Sequence, residues 1–263
     1  MRRAALTVAL ATLALAAGAA PAAAQPASGI ARPAGESRMS LLELGSQLYA
    51  GNCSTCHGVD GGGVEHPRPG AGGIKGMGPS LQGVGASAAD FYLRTGYMPL
   101  GDARDQPTRH DVQFSDREIR ALVAYIAGLA PGPAIPHPAP AAGDLSDGQR
   151  LFTEHCAGCH QVAAKGGFVT GARVPPLEDA SVTQIAEAVR TGPYLMPRFS
   201  SRQISDSELN SIIAYVQSTK HPSDRGGWGL GNLGPIPEGI VAWLIAGLAL
   251  LLTCAVIGER IRS

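Results

Sequence analysis

Two short motifs carry the chemistry of this chain: Cys53-Ser54-Thr55-Cys56-His57 and Cys156-Ala157-Gly158-Cys159-His160. Two thiols three residues apart lie on one turn of helix, where each can form a thioether with a haem vinyl group. The next residue then presents an imidazole to the iron from the same side, which is the attachment pattern of c-type haem. Two rival chemistries use similar residues. A disulfide redox pair needs no trailing histidine, least of all twice. A zinc site assembled from four cysteines in two distant pairs leaves both histidines unexplained. The spacing therefore predicts two covalently bound haem c groups, held by Cys53, Cys56 and His57 and by Cys156, Cys159 and His160.

The sixth position at each iron separates a carrier from a catalyst. The chain has five methionines, and two recur at matching places. Met98 falls 45 residues after Cys53 in Tyr97-Met98-Pro99, and Met196 falls 40 residues after Cys156 in Leu195-Met196-Pro197. Each follows an Arg-Thr-Gly triplet, Arg94–Gly96 and Arg190–Gly192. A lone buried methionine is ordinary packing. The same Met-Pro at the same place in a repeat predicts ligation, so the irons are expected to be held by His57 with Met98 and His160 with Met196. Met77 is a rival in the first half without a counterpart in the second and reads as loop. His66, His110, His137 and His155 do not recur and read as surface or loop histidines. Pro79 and Pro175 sit in Pro-x-Leu triplets. Such a carbonyl can accept the Nδ1–H of the haem histidine and fix its orientation. His/Met ligation leaves no open iron position, which favours electron transfer over oxygen or peroxide chemistry and raises the reduction potential.

The elements that position these groups also repeat. Gly45-Ser-Gln-Leu48-Tyr49 precedes Cys53 as Gly148-Gln-Arg-Leu151-Phe152 precedes Cys156, at an offset of 103. Ile119, Leu122, Val123 and Ile126 match Leu209, Ile212, Ile213 and Val216 at an offset of 90. These are i, i+3, i+4, i+7 apolar stripes, and Ser115-x-x-Glu118 and Ser205-x-x-Glu208 are capping boxes that start them. Ser40-x-x-Glu43 and Ser146-x-x-Gln149 are expected to open a helix before each haem motif. Two homologous modules follow, each with an N-terminal helix running into the haem site and a C-terminal helix packed on it. Five prolines between Pro131 and Pro140 predict a stiff, extended linker between them.

Composition agrees with small modules built around a large prosthetic group. Of 263 residues only 5% are aromatic, so a small core needs another bulky apolar object. Glycine and proline together number 55, which excludes a coiled coil or plain helical bundle. Basic and acidic residues both number 21, without the basic excess of a nucleic-acid binder.

The two ends predict the compartment. Residues 1–24 combine Arg2 and Arg3, an Ala/Leu-rich run and Ala22-Ala23-Ala24, the pattern of a cleaved secretory signal; retention as an anchor is the weaker alternative. Gly239 to Gly258 is 20 residues without a charge, enough at about 1.5 Å per residue to cross a hydrocarbon core. Arg260 and Arg262 follow it, so the modules are expected outside the cell membrane and the C-terminus inside. Cys254 within that span reads as a small lipid- or helix-facing residue.

Cys-x-x-Cys-His, the segment Gly78-Pro79-Ser80-Leu81 and a later Met-Pro resemble a class I cytochrome c domain; the second module departs with Val174 in place of the glycine. Two such domains with a signal and one C-terminal helix resemble the dihaem cytochrome c subunit of the actinobacterial-type cytochrome bcc complex. The approach to the membrane, Gly226-Gly-Trp228 through Pro237-Glu238-Gly239, is similar to that family's, as is Gly78–Gly85. The resemblance implies an all-α fold of two tandem class I cytochrome c domains plus one C-terminal transmembrane helix. The expected boundaries are signal 1–24, domain 1 at 39–130, Pro-rich linker 131–143, domain 2 at 144–221, Gly/Pro-rich linker 222–238 and membrane helix 239–258. It also implies partners: a Rieske iron-sulfur subunit, a cytochrome b subunit and a terminal aa3-type cytochrome c oxidase whose copper centre receives the electrons. The complex as a whole would oxidise menaquinol, and this chain would hold no substrate-converting site of its own. The family suggests that module 1 faces the Rieske protein.

Two other classes use the same motifs. One is the cytochrome subunit of a periplasmic dehydrogenase, disfavoured by the C-terminal anchor. The other is a dihaem peroxidase, which needs a displaceable iron ligand and conflicts with the paired Met-Pro segments. Module 1 is longer than module 2 in two loops, and the insertion Leu100–Gln113 carries Asp102, Arg104, Asp105, Arg109, His110 and Asp111. Loops beside a rigid core are where recognition residues sit, so this insertion is expected to dock on the complex partners.

Overall fold

The computed structural model describes residues 29–63, 78–100, 109–220 and 235–262. The signal segment, His66, Met77, residues 101–108 of the charged insertion and most of the second linker lie outside the described residues.

Module 1 contains α1 (Leu41–Asn52), α2 (Ser54–His57), α3 (Gly85–Arg94) and α4 (Asp116–Leu129). Module 2 repeats the order with α5 (Leu145–His155), α6 (Ala157–His160), α7 (Val182–Thr191) and α8 (Asp206–Lys220). Ser40 accepts from the Glu43 N–H, and Ser115 and Glu118 cap α4 reciprocally. Ser205 and Glu208 do the same for α8. Helix α5 starts before the position that Ser146 predicts. The Asp144 carboxylate accepts from the Asp147 N–H at 2.7 Å, and a carboxylate at a helix N-terminus gains from the dipole as well as from the hydrogen bond. Ser146 therefore falls inside the first turn.

Each core is the crossing of a module's first and last helices, α1 on α4 and α5 on α8. Gly45 and Gly148 occupy equivalent places at these crossings. A Cβ on Gly45 would run into the carbonyl oxygen of Ala121, and one on Gly148 into that of Ser211. Glycine lets the backbones approach this closely. Leu44, Leu48, Tyr49 and Leu122 are buried around the first crossing and Leu151, Phe152, Ile213 and Val216 around the second. An aromatic pair closes each, Tyr49 with Tyr125 at 5.0 Å between ring centroids and Phe152 with Tyr215 at 5.4 Å.

The equivalent helices α3 and α7 pack on each other and join the modules. The Gln184 side-chain amide donates to the Arg94 carbonyl across this joint at 3.5 Å. The proline-rich stretch is fastened along both modules instead of standing free. The Ser87 N–H donates to the Pro133 carbonyl at 3.1 Å, and the Ala139 N–H donates to Asn210 Oδ1 at 2.8 Å.

To the mostly helical fold the structure adds one hairpin, β1 (Gly167–Val169) and β2 (Ala172–Val174), antiparallel with Phe168 opposite Arg173. Valine and phenylalanine flank a Thr170-Gly171 turn, a hairpin signal that the helical repeat masks. Helix α9 (Pro235–Arg262) follows the second linker. Its stretch Gly239–Ile261 is 23 residues long with mean hydropathy 2.7, and none of it is buried against the modules.

Candidate haem sites

Each haem motif is a single helical turn closing onto its first cysteine. The His57 N–H donates to the Cys53 carbonyl at 2.9 Å, and the His160 N–H donates to that of Cys156 at 2.9 Å. Both cysteines and the histidine of each motif thus share one turn at the end of α1 or α5.

In module 2, Cys156, Cys159, His160 and Met196 all line one cavity, closed by apolar groups that include Phe152, Leu177, Ile185 and Val189. The groups expected to attach the haem and to face its iron from either side are therefore brought to a single apolar chamber of the kind a macrocycle requires. In module 1, Cys53 and Met98 pack against the same buried cluster, together with Leu81.

The histidines are oriented as the Pro-x-Leu triplets predict, one more fully than the other. Nδ1 of His57 lies 2.7 Å from the Pro79 carbonyl, which leaves Nε2 as the lone-pair nitrogen. Gly78 makes this approach feasible, since a Cβ there would stand 2.8 Å from His57 Nδ1. In module 2, burial pulls the His160 pKa down and the Pro175 carbonyl opposes it, yet Nδ1 is buried without a hydrogen bond of full geometry. The Pro175 carbonyl is therefore the acceptor nearest to hand for the His160 Nδ1–H, in the place that Pro79 fills for His57.

The disulfide-redox chemistry finds little support here. Burial, with the partner thiol adding to it, pushes Cys53 up to about 12 and Cys156 up to about 11. A reactive redox thiolate needs the opposite shift.

Some features have no local signal in the sequence. Phe91, Thr95, Tyr97 and Arg109 of module 1 form part of the wall of module 2's chamber. Arg109 belongs to the insertion expected to face outside partners, and it faces the neighbouring module. Glu187 on α7 is fully buried at the joint, and neither of its oxygens has a hydrogen-bond partner. Among the histidines expected at the surface, His155 also lines the chamber.

Comparison with known proteins agrees with the two-module architecture. Residues 42–130 match the family Cytochrome c, and residues 143–216 match the family Cytochrome C oxidase, cbb3-type, subunit III. The chain is similar to the cytochrome bc1 complex cytochrome c subunit of Corynebacterium diphtheriae, 34% identical over 245 residues that cover 86% of this chain and 84% of the relative. It is 38% identical over 237 residues to the subunit of the same name from Mycobacterium tuberculosis, covering 86% of this chain and 81% of that one. A more distant likeness, 26% over 193 residues, links it to the cbb3-type cytochrome c oxidase subunit CcoP of an Azospirillum, covering 66% of this chain and 60% of that one.

Proposed function

The chain belongs to the family of cytochrome bc1 complex cytochrome c subunits, and on that premise we propose that it carries electrons from a Rieske iron-sulfur protein to the copper centre of a terminal aa3-type oxidase, through two haem c groups. Its partners in this reading are the Rieske and cytochrome b subunits and the oxidase. The modules stand outside the cell membrane on the single helix α9, with the C-terminus inside. The observation that carries the reading is the direct packing of two haem modules through α3 and α7 in a chain that, among the described residues, also presents one long apolar helix.

Haem supplies the one-electron chemistry, and the chain's own residues prepare it. Cys53 and Cys56, and Cys156 and Cys159, tether the macrocycle. His57 and His160 would ligate iron, and the Pro79 carbonyl holds the His57 ring in the tautomer that can do so. Met98 and Met196 would supply the second protein ligand to each iron, a ligation that would raise the potential and deny the irons to small ligands. The Met98 N–H is tied to the Tyr92 carbonyl at 3.1 Å, and that of Met196 to the Pro193 carbonyl at 3.0 Å, so each methionine sits on a braced loop.

The likeness to cbb3-type oxidase subunits favours a second reading, delivery within an oxidase assembly. The bc1-complex relatives cover more of this chain and of their own length. Affinity purification of the full chain in mild detergent separates the two. Recovery of cytochrome b and Rieske subunits with quinol-to-oxidase electron flow supports the proposal. Recovery of a cbb3-type catalytic subunit or of a soluble dehydrogenase overturns it.

A further inference from the structure

The wall of module 2's chamber has an uneven charge. Among the described residues it is lined by two arginines, Arg109 and Arg173, and by no aspartate or glutamate. The remaining wall is mainly apolar or aromatic. Haem is an apolar ring with two carboxylates, its propionates. A largely apolar chamber whose acid-free wall carries two guanidinium groups complements it, because guanidinium pairs with carboxylate through two parallel hydrogen bonds.

The two arginines come from different modules. Arg173 stands on β2 opposite Phe168, in the hairpin of module 2. Arg109 stands in module 1, at the end of its insertion, and is held in place locally. The neighbouring His110 carbonyl lies so close to Gly96, just beyond α3, that a Cβ on Gly96 would collide with it. The charge of Arg109 acts on the Tyr97 hydroxyl. Tyr97 stacks on Phe91 at 5.9 Å, and both rings line the same chamber. Arg109, Tyr97, Phe91 and Thr95 thus form a wall on the α3 side of the joint, facing a haem site that module 1 does not itself attach.

We infer that Arg109 of module 1, together with Arg173 of module 2, binds the propionates of module 2's haem, so that this haem site is completed only when the two modules are packed together. The inference rests on the reading that Cys156, Cys159 and His160 carry that haem. It gives the insertion in module 1 a role inside the chain. It also makes the potential of the second haem depend on the first module, because a cation beside the propionates favours the reduced, more negative state.

The test uses the full-length chain in detergent, with Arg109→Gln, Arg109→Lys and Arg173→Gln variants. A haem count and the low-spin spectrum come first; a missing haem in the wild type would sink the haem reading and this inference with it, whereas failure of the redox shifts below with both haems present would sink this inference alone. Redox titration then resolves two waves. Arg173→Gln identifies the wave of module 2. Arg109→Gln is expected to lower that same wave by up to about tenfold in the redox equilibrium, ~59 mV for a one-electron couple. The propionate vibrations in resonance Raman should shift with it, and Arg109→Lys should restore most of the potential. Movement of only the other wave, equal movement of both, or no movement in Arg109→Gln would overturn the inference.

Discussion

The carboxyl group of Glu187 on α7 lies buried in the field of Asp90 on α3, one from each haem module. Asp90 is bound by Arg94 at 2.8 Å, and Arg94 also binds Asp116 of α4 at 2.8 Å. On its own helix the nearest cation is Arg190, which is turned to Asp206 of α8. One guanidinium thus serves several carboxylates, and Glu187 has no hydrogen bond. Burial first, then the charge of Asp90, pushes its pKa from 4.5 up to about 8, while Arg94 offsets part of this. The packed state therefore holds a proton that an exposed Glu187 would release.

A raised carboxyl pKa gives stability that is full below about 4.5 and is lost as pH rises through about 8. Wild type should lose thermal stability between pH 5 and 9, on the order of 2 kcal/mol more than Glu187→Gln, whose neutral amide cannot ionise. Parallel melting curves across that range check this. Equal slopes in the two proteins would show that Glu187 is not the titrating group.

The helix crossings give a second expectation. Gly148→Ala puts a methyl group against the Ser211 carbonyl. It should destabilise module 2 by about 1–3 kcal/mol, because a packed crossing relaxes only by moving backbone. Gly45→Ala should act equally on module 1. Gly128→Ala on α4, where a Cβ meets nothing, is the control and should not lower the melting temperature.

The capping boxes that open α4 and α8 are unequal. Glu118 is buried at 1% exposure and also binds Arg32 at 2.6 Å, whereas Glu208 is partly exposed and caps Ser205 alone. Glu118→Ala should cost roughly 2–3 kcal/mol, since it removes a cap and strands the Arg32 contact. Glu208→Ala should cost distinctly less. Denaturant titration of both variants tests the ranking.

The proposed orientation is open to protease protection. Trypsin added to intact spheroplasts should remove both haem modules and leave a small membrane fragment containing α9. Protection of the modules would reverse the topology.

The parts of this architecture that are local were legible in the sequence. The haem turns, the stripes of α4 and α8 and the Pro79 carbonyl all follow from spacing within a few residues or from the repeat. Helices α3 and α7 were marked only by the Arg-Thr-Gly triplets at their C-terminal ends and, for α7, by Ser181-x-x-Gln184, a capping box the structure forms. What escaped is what two modules make together. Glu187 reads as an ordinary polar position on a helix, and only α3 packed over it removes its water. Arg109 reads as one charge in an exposed loop, and only the joint turns it toward the second chamber.

The central claim is that both irons are held by histidine and methionine, His57 with Met98 and His160 with Met196, in a carrier with no vacant site. Near-infrared magnetic circular dichroism of the oxidised, full-length protein tests it most directly. The account predicts that the whole haem content shows the low-spin His/Met charge-transfer band, and that Met98→His and Met196→His each convert half of it to bis-histidine while both haems stay attached. A high-spin component in the wild type, or rapid cyanide binding at one iron, would contradict it and point to a haem with a catalytic vacancy.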